Sequence, residues 1–117
     1  MDKKYIKCNV NSLYGKAVTG SRFHVCYEMQ KFRNYLNESN IQWTDVSDES
    51  GDIWICRTHF NHEGNLVSVI HGFGSYGGFN RWETDQGLLE VMIGNNEPVG
   101  YFTAEDAVKY IFEGADA

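Results

Sequence analysis

Between Glu28 and Glu38 the apolar residues Met29, Phe32 and Leu36 fall at i, i+3 and i+7, with Tyr35 beside them. This spacing predicts a helix over 28–38 with one buried stripe. Ser39-Asn40 stops it. The period then changes to that of strands: Ile41 to Val46 carries Trp43, Ile53 to Phe60 alternates between two apolar faces, and Leu66 to His71 returns. Between them, Ser47 to Asp52 reads as a polar loop and Asn61 to Asn65 as a hairpin connection.

Gly87 to Ile93 (GLLEVMI) is a further strand, closed by Gly94-Asn95-Asn96. The terminal element has the clearest signals. Thr103 is placed to cap a helix and Asp106 to reach back to it, Ala104, Ala107, Val108 and Ile111 form the stripe, and Gly114 ends it. Upstream, Tyr5 to Val10 and Arg22 to Tyr27 read as strands. The order predicts a single α+β domain over residues 1–117: a mainly antiparallel sheet of about five to six strands with two helices packed on one face.

Composition supports a folded chain. Hydrophobic residues make up 42% and aromatics 15% of 117 residues, with one proline, enough for one core and outside the range of disordered chains. No apolar run approaches the ~20 residues of a membrane-spanning helix, and MDKKYIKCNV lacks the apolar core of a signal peptide, so a cytoplasmic protein without membrane contact is expected. Cys8, Cys26 and Cys56 are odd in number and widely spaced, which favours reduced thiols.

Charge is asymmetric. Residues 1–33 balance to +5, whereas residues 34–117 carry fourteen acids against Arg57, Arg81 and Lys109, a balance of −11. Such a body repels nucleic acid and favours a basic protein partner.

Four patterns carry candidate chemistry. Lys7 followed by Asn11-Ser12-Leu13-Tyr14-Gly15 resembles the K-x-x-x-N-S-x-Y-G signature of family B DNA polymerases, which would make Lys7 and Tyr14 nucleotide contacts. Polymerase chemistry also needs carboxylates holding two metal ions. The aspartate-rich segment that supplies them in that family is not found here, and the nine-residue match is set aside.

His71-Gly72-Phe73-Gly74-Ser75-Tyr76-Gly77-Gly78 contains G-x-G-x-x-G at Gly72, Gly74 and Gly77, residue types that let a backbone approach a phosphate. No helical pattern follows, so a packed loop is favoured and a small-ligand or nucleotide site is the alternative. Cys56-x-x-His59-x-x-His62 has zinc-ligating residue types, but strand parity sends Cys56 and His59 to opposite faces, and no metal is expected. His24 and Cys26 share a strand face in this reading, yet no third group orients them as base and nucleophile.

The remaining pattern is a surface. Phe73, Tyr76, Arg81 and Trp82 crowd the glycine-rich stretch, and Asp48, Glu49 and Asp52 crowd the preceding polar loop; aromatics and arginine are the usual anchors of protein interfaces. A short, acidic, aromatic-rich chain without a complete catalytic set resembles the small anti-CRISPR and other anti-defence proteins of bacteriophages and mobile elements. That resemblance implies a non-enzymatic inhibitor, without cofactor, of a host defence or nucleic-acid-binding protein.

Overall fold

The computed structural model describes residues 25–50 and 53–114. Helix α1 spans Tyr27–Glu38. Six strand segments follow, β1 (Thr44–Asp45), β2 (Asp48–Ser50), β3 (Ile53–His62), β4 (Asn65–Gly72), β5 (Leu89–Ile93) and β6 (Val99–Phe102), and then helix α2 (Ala104–Phe112). All neighbours are antiparallel, in the order β1/β2, β3, β4, β5, β6.

β1 and β2 occupy one edge position, so among the described residues the sheet is five strands wide. Their register on β3 is continuous, from Thr44↔His59 to Ser50↔Ile53. The interruption has a local cause: Ser47 Oγ accepts the Arg57 N–H at 3.0 Å in place of a backbone carbonyl. The stretch expected as a loop over 47–52 therefore contains β2, and the strand expected over 41–46 shortens to β1. A side chain competing for a ladder hydrogen bond is invisible to hydrophobic periodicity.

Alternation on the strands separates two faces. Cys56, Thr58 and Phe60 of β3, Val67, Val69 and His71 of β4, and Leu89 and Val91 of β5 are buried on one. Both helices cover that face. Met29, Phe32 and Leu36 of α1 and Ala104, Ala107, Val108 and Ile111 of α2 join the same core. Phe32 meets Phe60 at 5.9 Å between ring centroids, and Phe60 stacks on Phe112 at 5.8 Å. Thr103 Oγ1 accepts the Asp106 N–H at 3.1 Å as expected of the cap. The next orphan donor, Ala104 N–H, goes to Glu28 Oε1 of α1 at 2.7 Å, so one helix caps the other.

The segment expected as a strand over 22–27 differs where it is described: Cys26 precedes α1 as its N-cap residue with extended backbone, and Tyr27 is helical. Residues 5–10, 22–24 and the motif from Lys7 to Gly15 lie outside the described residues. No helix among the described residues is long and apolar enough to cross a membrane.

Burial dominates the two described thiols. It pushes Cys26 up to about 12, and it also raises Cys56, against the lowering effect of the nearby Arg33 guanidinium. A thiol whose folded pKa is raised stabilises the fold fully below its unfolded value near 9.0, and that contribution is lost as pH climbs toward the folded value. In a Cys8→Ser background, DTNB at pH 8 should therefore label less than one thiol per native chain and both after unfolding, and stability should fall above about pH 9. Rapid native labelling of two thiols would contradict this assignment.

Candidate interaction surface

The connection from β4 to β5 is long, and packing claims Gly72, Gly77 and Gly78. A Cβ on Gly72 would strike the Trp54 carbonyl and lie 2.6 Å from Ile55 Cα, because β3 passes directly beside it. Gly77 has φ +101, and a Cβ there would come within 2.8 Å of Leu88 Cβ. The amides are equally committed. Phe73 N–H goes to Trp54 O at 2.9 Å, Gly74 N–H to Phe79 O at 2.8 Å, Ser75 N–H to Gly72 O at 3.3 Å and Gly78 N–H to Ser75 O at 3.0 Å. Gly72 N–H donates to Ser75 Oγ and Tyr76 N–H to Glu90 Oε1. The amides of residues 72 to 76 and of Gly78 are thus all used within the fold, where a phosphate cradle would aim them at a ligand.

Side chains tie the same segment to the core face. Phe79 packs on Trp54 with centroids 4.9 Å apart, and Phe73 meets Phe79 edge-on at 6.0 Å. His71, 1% exposed at the end of β4, donates from Nε2 to Asp85 Oδ1 at 2.8 Å, and the same oxygen accepts the Gly87 N–H. Asp85 thereby clasps the returning end of the loop to the sheet, and fixes the proton of His71 on Nε2. Sequence reasoning did not single out this pair, since the thirteen intervening residues give no periodic signal.

At the tip, Asn80 Oδ1 accepts the N–H groups of Trp82 at 2.7 Å and Glu83 at 2.8 Å, and Asn80 N–H donates to Glu83 O. This Asx turn holds Trp82 at 90% exposure, with Arg81 exposed beside it. A second aromatic pair stands nearby in the chain's path: Tyr76, 50% exposed, stacks on Tyr101, 56% exposed, with centroids 6.3 Å apart. Tyr101 has φ +64 at a bulge between β5 and β6, where Leu89↔Phe102 shifts by one residue to Val91↔Val99. A tyrosine in that conformation costs on the order of 1 kcal/mol, and the Tyr101 N–H to Tyr76 O bond helps hold it. Neither Tyr101 nor strand β6 was anticipated, because VGYF follows a proline and is too short to show a period.

The expected anchors are distributed as follows. Tyr76, Arg81 and Trp82 reach solvent, whereas Phe73 is half-buried against Phe79. Asp48 is exposed on β2, Glu49 lies on the same strand, and Asp52 falls outside the described residues. Asp48 pairs with Ile55, which pairs with Gly72, so the acidic strand and the start of the aromatic loop share one end of the sheet, two strand spacings or about 10 Å apart.

The other constellations are not assembled. Cys56 is buried on the helix-covered face, and His59 pairs with Ser68 on the opposite one, so the Cys56, His59 and His62 set is split as strand parity requires. Cys26 is a helix N-cap whose raised pKa opposes nucleophilicity at neutral pH, and His24 lies outside the described residues. No protein-family model, curated protein or solved structure matches this chain.

Proposed function

We propose that this protein is a non-enzymatic binding protein that occludes a basic protein partner, an inhibitor of a nucleic-acid-binding or defence factor whose groove accepts an acidic body. The observation that carries the reading is Trp82, 90% exposed on a turn whose hydrogen bonds prevent its collapse onto the core. An indole left in water by a rigid loop is an unmet apolar surface, and Trp, Tyr and Arg together are the usual composition of an interface anchor. The −11 balance of residues 34–117 supplies attraction toward a basic surface. The internal use of the loop amides gives the nucleotide-binding alternative no comparable support.

Affinity capture from the source cell with the tagged chain identifies the partner, and binding kinetics with the purified pair test the surface. Trp82→Ala should leave folding stability within about 0.5 kcal/mol, as expected for an exposed side chain, while speeding dissociation by the equivalent of roughly 1–4 kcal/mol. Asp48→Lys with Glu49→Lys should slow association, most at low salt, because exposed charges steer encounter. Wild-type rates in both folded variants would refute the proposed surface.

A further inference from the structure

The helices cover one face of the sheet, and the other carries a pattern that matches itself. On that face β3 contributes Arg57 and His59, β4 Leu66, Ser68 and Ile70, and β5 Glu90 and Met92, with Leu66 50% and Met92 39% exposed. The register arranges them in rows. Arg57 pairs with Ile70 and Ile70 with Glu90; in the next row His59 pairs with Ser68 and Ser68 with Met92. Arg57 and Glu90 therefore sit two strand spacings apart, roughly 10 Å, with an isoleucine between them. Neither forms an ion pair among the described residues. Among the described residues Arg57 Nη1 reaches only the Val46 carbonyl at 3.5 Å, and Glu90 Oε1 accepts the Tyr76 N–H.

We infer that this face binds a second copy of the chain, across a twofold axis running parallel to β4. Such an axis exchanges the positions of β3 and β5. It sets Arg57 of each copy over Glu90 of the other, Ile70 over Ile70 and Leu66 over Leu66, and brings His59 against Met92. Sheets packed face to face stand about 10 Å apart, a gap that arginine and glutamate side chains bridge from opposite sides. A twofold axis across the strands through Ile70 would instead oppose Arg57 to Arg57 and Glu90 to Glu90. Charge thus selects one of the two isologous arrangements. A partner of a single charge sign would satisfy one of these two residues and repel the other, whereas a second copy satisfies both. The three strands give roughly 400 Å² of projected surface per copy, below the ~800 Å² of a standard interface, so the dimer should form in the micromolar to millimolar range.

The test is sedimentation equilibrium of the full chain over that range, with charge reversals. Arg57→Glu and Glu90→Arg should each weaken dimerisation roughly tenfold or more, the range of close interfacial charge pairs. The double reversal should restore it to within about threefold of the wild type, because the same pairs re-form with opposite polarity. Leu66→Lys, at a half-exposed site where folding is little affected, should abolish it, whereas Trp82→Ala should leave it unchanged. A wild-type chain monomeric at 1 mM, a dimer indifferent to either single reversal, or a double reversal no better than the singles would each overturn the inference. None of these outcomes bears on Trp82 and its basic partner.

Discussion

Replacing Arg33 with alanine is expected to cost about 3–5 kcal/mol, the loss seen when one member of a buried charge network is removed, against a total stability of about 5–15 kcal/mol for a domain. Arg33 is 0% exposed beneath α1. Its Nε donates to Thr58 Oγ1 at 2.7 Å, and Nη2 reaches Asp45 Oδ1 at 3.2 Å, Cys56 Sγ at 3.5 Å and the Arg57 carbonyl at 3.4 Å. The guanidinium also lies 4.6 Å from the Trp43 ring centroid. One planar group thus joins α1, the β1 edge and β3.

Truncation would strand the Asp45 carboxylate, 23% exposed, with Ser47 as its remaining partner among the described residues, and would open a void between helix and sheet. Arg33→Lys should recover only part of the loss, since a single ammonium cannot reproduce a fork that bonds in several directions. Arg33→Met tests the charge separately: combined with Asp45→Asn it should be less destabilising than Arg33→Ala, because an apolar side chain of similar length refills the space and no carboxylate is left unpaired. Urea unfolding of the three variants measures these differences. A loss below 1 kcal/mol for Arg33→Ala would show that the network holds nothing together.

The second large effect is expected at Gly72. Gly72→Ala should cost about 3 kcal/mol or more, at or beyond the upper end of ordinary overpacking. The added Cβ would meet backbone atoms of Trp54 and Ile55, and those atoms are held by the β3–β4 register itself, Ile55↔Gly72. They cannot step aside without opening the pairing. Gly74→Ala is the control. Its φ of +80 makes alanine unfavourable by roughly 1–2 kcal/mol, but nothing lies within 4 Å of the new methyl. Thermal unfolding should rank Gly72→Ala well below Gly74→Ala, and Trp54 emission should report the disturbance of its packing on His71 and Phe79. Equal stabilities would mean that the loop base can reposition and that Gly72 is not a packing glycine.

The stripes Met29, Phe32, Leu36 and Ala104, Ala107, Val108, Ile111 were legible because each repeats at helical spacing, and every one of those residues is buried. The β3–β4 hairpin was legible for the analogous reason: Ile53 to Phe60 alternates, a glycine-bearing connection follows and Leu66 to His71 returns, although the pairing runs on to His62 and Asn65 and leaves a turn at Glu63-Gly64. Thr103 and Gly114 mark the two ends of α2 through backbone chemistry that depends only on near neighbours. Local periodicity and local capping therefore determined the α+β class, both helices and the central strands.

What the sequence left open depends on partners distant along the chain. Arg33 reads as a charged residue on a helix surface until Asp45, Thr58 and Cys56 converge on it, twelve to twenty-five positions away. His71 and Asp85 meet only after the intervening glycines fold back, and Tyr101 acquires its positive φ only because β6 must accommodate an extra residue against β5. The aromatic segment from Phe73 to Trp82 shows the division within one stretch of chain. Its composition marked it as a surface, but packing turned Phe73 toward Phe79 while an Asx turn sent Trp82 into solvent. Composition is a sum over residues and carries no direction. Direction comes from the backbone each side chain hangs on, and that is decided by long-range pairing.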